Sequence, residues 1–110
     1  MYTRSQNRSA KLAHKLRKDA GRFLRKLREE RGLSQRELAT KVGEEHYFRI
    51  SELEHGRGRV ASDRYLVWAG ALEVVPGEFV RRLISYYDPK TYEIVFKVHP
   101  RPVRRRRASA

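Results

Sequence analysis

The sequence predicts an all-α domain of five helices flanked by basic ends. Three observations carry this. Apolar residues recur at helical spacing through residues 20–87, Ser34 and Glu37 form a capping box, and glycines stand where helices should end.

Ala20, Leu24 and Leu27 set the spacing of the first helix, with charges between them. Gly32 follows Arg31 as the expected C-terminal cap, since glycine enters the left-handed region without a side-chain clash. Upstream, Leu12 and Leu16 with Lys11, Lys15, Arg17 and Lys18 predict a basic helical extension. It either continues into the first helix or breaks near Asp19–Gly21. The second helix opens at Ser34, buries Leu38, Ala39 and Val42, and ends at Gly43. The third is expected over Glu45–His55, with Ile50 and Leu53 inward and Gly56 and Gly58 beyond its end. Ser62 is the expected cap of the fourth, with Asp63 in the first turn and an apolar face of Tyr65, Leu66, Trp68, Ala69 and Leu72. Pro76 suits the first turn of the fifth, whose stripe is Phe79, Val80, Leu83, Ile84 and Tyr87. These stripes read as core, and no cofactor box stands among them.

Asp88–Thr91 reads as a turn. Beyond it Tyr92, Ile94, Phe96 and Val98 alternate with Glu93, Val95 and Lys97, the period of a strand. The other reading of this stretch is a short helix folded back on the fifth. The Pro- and Arg-rich tail from His99 is expected to be disordered. The expected organisation is therefore a basic extension (1–19), a helical domain (20–87), a dimerisation segment (88–98) and a basic tail (99–110).

The net charge of +13 sits mostly at the two ends of the 110-residue chain. Basic ends suit a polyanion: DNA, RNA or an anionic membrane surface. With no cysteine there is no disulfide framework and no thiolate metal site. His14, His46, His55 and His99 lack a metal-ligand spacing, and no nucleophile motif or phosphate-cradling glycine loop is present. Neither an enzyme nor a cofactor or metal protein is expected. The longest apolar run, Leu66–Leu72, is far short of the roughly 20 residues that span a bilayer. The length suits one domain, without room for a separate sensing domain, and a cytoplasmic, nucleoid-associated location is expected.

The informative stretch is Gly32–Gly43. Ala39 is small enough to let the third helix cross close over the second, and Gly43 makes the tight turn between them. Ile50 and Leu53 then lock the third helix to the core. Packing of this kind leaves one helix protruding, in a shape that fits the major groove of B-DNA. Leu24–Gln35, Glu37-Leu38-Ala39, Ile50–Gly56 and the junction Ala69–Val75 together resemble the Cro/C1-type, or XRE, helix-turn-helix family of phage and bacterial regulators. The resemblance covers roughly Ala20–Phe79 and implies a lambda repressor-like DNA-binding domain. One departure stands out: the stretch from Gly43 to Ile50 is one residue longer than the family pattern, and Glu44 stands where the family is usually apolar.

Counted back from Ile50, the resemblance places the base-reading positions on His46, Tyr47, Phe48 and Glu52, with Arg49 at the edge. Arginine can bond guanine bidentately, glutamate can accept from cytosine N4, and Phe48 can touch a thymine methyl. His46 and Tyr47 share a side with Ile50, so a partly buried role is the alternative for each. The resemblance turns Ser34 and Gln35 toward the DNA backbone, which the free N–H groups of a helix N-terminus support. Arg57, Arg59 and Arg64 follow the third helix and are expected to clamp flanking phosphates. Arg28 and Glu54 match the family's internal ion pair.

A helix-turn-helix monomer contacts few base pairs, so a homodimer on double-stranded DNA is expected, with two half-sites about one helical turn apart. Tyr92, Ile94 and Phe96 of the expected strand, helped by Tyr86 and Tyr87, are its expected interface. The basic ends, Arg4–Lys18 and Arg104–Arg107, are candidate phosphate or minor-groove arms. Within DNA binding, a phage or mobile-element autorepressor competes with an antitoxin whose C-terminal segment grips a protein toxin. An RNA-binding role is the third reading, with only Tyr47 and Phe48 in its favour.

Overall fold

The computed structural model describes residues 4–97, with side chains from residue 7. The expected basic tail over 99–110 lies outside the described residues. The chain forms α1 (Arg4–Glu30), α2 (Gln35–Val42), α3 (Phe48–Glu54), a 3-10 turn (Ser62–Arg64), α4 (Tyr65–Leu72), α5 (Pro76–Tyr87) and α6 (Pro89–Tyr92). A single π-helical turn, Glu93–Lys97, extends α6.

The basic extension and the first helix are one continuous 27-residue helix. Its C-terminal half packs on α3 and α5, while α2 packs on α3 and α4, and α4 on α5. Ala20 and Leu24 of α1 meet Leu38, Ala39, Val42, Ile50, Val60, Trp68, Ala69, Leu72, Phe79 and Leu83 in one core. Ala39 and Ala69 are small residues at that centre, where α2 and α4 approach their neighbours closely.

The second helix begins as its sequence requires. The Ser34 side chain accepts from the Glu37 N–H at 3.0 Å, and the Glu37 carboxylate accepts from the Ser34 N–H at 2.8 Å. Gly43 ends it at φ 74°, and its N–H reaches back to the Thr40 carbonyl. The third helix departs from expectation. It starts at Phe48 and not at Glu45. Residues 44–47 form a turn, where the His46 N–H donates to the Glu44 carboxylate at 3.3 Å. The turn lengthens and the helix shortens, so Ile50 keeps its place in the core.

Ser62 does not cap the fourth helix by its side chain; a 3-10 turn opening after Ala61 leads into it. Leu66, expected on the apolar face, is 73% exposed. The expected strand is absent among the described residues. Asp88 accepts from the Thr91 N–H at 3.2 Å and the Thr91 hydroxyl at 2.6 Å, and Pro89 occupies the first helical position. This local cap starts a helix where a turn was expected. A lone strand would leave its backbone groups without partners, which a helical turn supplies from within the segment. Tyr92 and Phe96 then pair at 5.2 Å, and Phe96 lies under the Arg81 guanidinium of α5. The segment is the short helix folded back on the fifth.

α1 crosses α3 at glycine. A Cβ on Gly21 would lie 2.8 Å from the Leu53 carbonyl oxygen and closer still to that of Glu54. A Cβ on Gly56 would lie 2.8 Å from the Lys18 backbone nitrogen. Both obstacles are backbone and cannot swing aside. Alanine gains about 1 kcal/mol over glycine inside a helix, whereas overpacking costs about 1–3 kcal/mol or more. With backbone this close the upper end of that cost applies, so Gly21→Ala is expected to destabilise the fold by about 2 kcal/mol or more in urea unfolding. Gly70→Ala in α4, where a Cβ meets nothing within 4 Å, is expected to stabilise it by about 0.5–1 kcal/mol.

Candidate nucleic-acid interface

The exposed end of α3 and the exposed start of α2 share one surface. Its base is a buried polar knot. Arg28 Nε and Nη2 donate to the two Glu54 carboxylate oxygens at 2.6 and 3.0 Å. Arg28 Nη1 donates to the Leu33 carbonyl at 2.8 Å, and Gln35 Nε2 donates to Glu54 Oε1 at 3.0 Å. Arg28 and Glu54 are 8% and 6% exposed, deep enough that either alone would be a stranded charge. The Glu54 hydrogen bonds raise the Arg28 pKa further above its usual value, more than burial lowers it.

On this base, His46, Tyr47, Phe48 and Arg49 stand exposed in sequence, and Glu52 is half-buried. His46 and Tyr47, for which partial burial was the alternative, are on the surface. His46 stacks on Phe48 with ring centroids 5.3 Å apart. Arg36 of α2 lies over the Tyr47 ring at 4.1 Å, and Arg49 reaches Glu52 at 4.0 Å. Arg36 is the residue that sequence reasoning missed. Its cation type and place in the first turn of α2 were visible, but Tyr47 beneath it is a tertiary contact. The cluster offers two large apolar rings and two guanidinium groups, chemistry suited to thymine methyls, guanine edges and phosphates.

The residues expected to contact phosphates divide into two groups. Ser34 and Gln35 open α2, with the Ser34 oxygen engaged as cap and the Gln35 amide committed to Glu54. With the Ser34 and Glu37 N–H groups taken up by the capping box, the orphan donors of this helix start are the backbone N–H groups of Gln35 and Arg36. Arg57 is exposed after α3, and among the described residues only its backbone N–H is engaged, to the Glu52 carbonyl. Arg59 lies over the Tyr87 ring at 4.9 Å. Arg64 turns back to the Val42 carbonyl and caps the C-terminal end of α2.

Tyr86 and Tyr87, expected at a dimer interface, are both engaged within the chain. Tyr86 packs on Phe23 and accepts from Arg82 at 2.9 Å. The Tyr87 hydroxyl accepts from the Val60 N–H at 3.2 Å, and burial pushes its pKa up. Tyr92 is half-buried, whereas Ile94 is 69% and Phe96 40% exposed.

A short helix held proud of a helical core by a capped partner helix and a tight turn defines a DNA-binding helix-turn-helix domain. The helix-turn-helix family model matches residues 24–79, and the chain belongs to the Cro/C1-type helix-turn-helix family of DNA-binding transcription regulators. Compared with curated proteins, the chain finds no match. Among the described residues no helix is long and apolar enough to cross a membrane.

Removing Glu54 strands the Arg28 cation, so Glu54→Ala is expected to cost about 3–5 kcal/mol in urea unfolding. The cap gives a pH signature. Hydrogen bonds from Ser34, the backbone N–H first, lower the Glu37 pKa below its usual 4.5. The stability this adds is fully present above that usual value and is lost as pH falls through the lowered native one. Acid unfolding followed by circular dichroism should show a loss in that window that Glu37→Gln lacks.

Proposed function

We propose that the protein is a dimeric, sequence-specific repressor from a phage or mobile element. It binds an inverted repeat by inserting the N-terminal end of α3 into the major groove of each half-site. The observation that carries this is the exposed cluster Arg36, His46, Tyr47, Phe48 and Arg49. Tyr47 and Phe48 put two large rings side by side on the surface at 44% and 51% exposure, set against Arg36 and His46 and not in the core. A major-groove floor with thymine methyls offers such rings an apolar contact.

In this reading Phe48 and Arg49, with Arg36 and Tyr47, read base edges. Glu52 accepts from a cytosine amino group. The α2 N-terminus, Arg57 and Arg59 hold phosphates and set the register. The two protomers meet through the exposed Ile94, Val95 and Phe96 of the C-terminal turn, and not through a β-ladder. The same apolar turn would serve an antitoxin as its grip on a toxin, and in that reading it stays outside the homodimer contact and available to the toxin. Acting on chromosomal DNA, the protein works at the nucleoid.

The test is selection of bound duplexes from a random pool near physiological salt, with sedimentation of the free protein. The expected result is an enriched inverted repeat with half-sites about 10 base pairs apart, bound by a dimer. Phe48→Ala should cost about 1–3 kcal/mol at one base position and little elsewhere. Tight binding without any enriched sequence would overturn the reading. A monomer at micromolar concentration would overturn the dimer.

A further inference from the structure

Because α1 is unbroken from Arg4 to Glu30, its cations fall into register. Arg8, Lys11, Lys15, Lys18, Arg22 and Arg25 alternate at spacings of three and four residues, which puts them on one face of the helix. All are exposed. The opposite side carries Leu16, Ala20 and Leu24 toward the protein. At a rise of about 1.5 Å per residue the stripe is about 25 Å long.

A helix face that is merely solvated mixes signs, because like charges at these spacings repel. Here Asp19 alone stands against the stripe along most of its length, shared between Lys15 at 3.0 Å and Arg22. Arg25 pairs with Glu29 at its end, at 3.2 Å. Among the described residues Lys18 has no ion pair. The stripe repels itself, and the fold keeps it.

Its C-terminal end is docked against the recognition helix. Lys18, Arg22 and Arg25 line a cleft of about 330 Å³ with Glu54 and His55 from the end of α3. The Glu54 carboxylate is already bonded to Arg28 and Gln35, so it does not neutralise these cations. The glycine crossing at Gly21 and Gly56 holds this part of α1 against the end of α3 through backbone contact. The cleft therefore sits at a set place beside Gln35 and the start of α2. Arg8 to Arg22 of the stripe lie outside the family match over 24–79, and Arg25 lies within it.

We infer that the α1 stripe is a rigid rail for the phosphates of duplex DNA flanking each half-site, entered through the Lys18–Arg22–Arg25 cleft. This rests on the DNA-reading surface proposed above. A helical rail cannot thread the minor groove as a flexible arm would. It adds affinity, salt dependence and footprint length without adding sequence preference.

The experiment is a salt titration of the full chain on duplexes carrying long or trimmed flanks. It compares the wild type with a variant in which the six cations are alanine, a residue that favours helix. Each phosphate that the protein no longer neutralises takes about 0.9 off the slope of log Kobs against log salt concentration. The variant should lose about three or more slope units and at least about tenfold in affinity at low salt, with the preferred half-site unchanged. The wild type should lose a similar slope when the flanks are trimmed, and exchanging Arg22 and Arg25 for lysine should retain it. Circular dichroism verifies that the helix is intact. An unchanged slope in a folded variant overturns the rail. So does a wild-type slope indifferent to flank length, which would point the stripe at RNA or an anionic membrane. Failure of the sequence-reading proposal is separately visible as a wild type without any preferred duplex.

Discussion

The arrangement depends on the buried pair between Arg28 and Glu54. It joins the end of α1 to the end of α3, and through Leu33 and Gln35 it also joins both to the start of α2. The three elements that shape the exposed surface are thus tied at one point. A buried ion pair is weak evidence for stability, because desolvation offsets much of the attraction. Its value here is positional. A bidentate fork accepts few geometries, so it sets where α3 stands relative to the α2 N-terminus. Apolar packing of Ile50 and Leu38 supplies the cohesion but tolerates small shifts that the fork does not.

The second constraint is steric. Gly21 and Gly56 let backbone touch backbone where α1 crosses the end of α3. The polar knot at Arg28 and the crossing at Gly21 lie about two helical turns apart along α1 and both engage the α3 terminus. Together they prevent α3 from rocking on α1. This matters because α3 is short, at seven residues, and has no side-chain cap of its own. So short a helix holds its shape by tertiary contact and not by propensity.

The turn before α3 is held between two fixed points. The core position of Ile50 and the left-handed Gly43 are both rigid points. The stretch between them stands largely on the surface, with Glu45, His46 and Tyr47 exposed. It contributes to an aromatic and basic cluster, with His46 against Phe48 and Arg36 over Tyr47.

Local chemistry was legible in the sequence. The Ser34–Glu37 capping box, the left-handed Gly43, the proline start of α5 and the core stripes of α2 and α5 each follow from residues within a few positions of one another. The family resemblance was legible too, because its motif is a contiguous order of such signals. The Tyr92–Val98 alternation misled, since a period of two means a strand only if a partner strand exists, while the Asp88 cap acts at once. Whether α1 broke at Gly21 could not be read, because glycine there answers to the α3 backbone, which is distant in sequence. Likewise Arg36 over Tyr47, the turning of Gln35 and Arg64 inward, and the burial of Tyr87 depend on partners that only folding brings near. The sequence by itself determined where α2 starts and stops, where α5 starts, and what charge each helix carries. The tertiary structure decided which of those charges face outward together, because that depends on how far each helix runs and what it packs against.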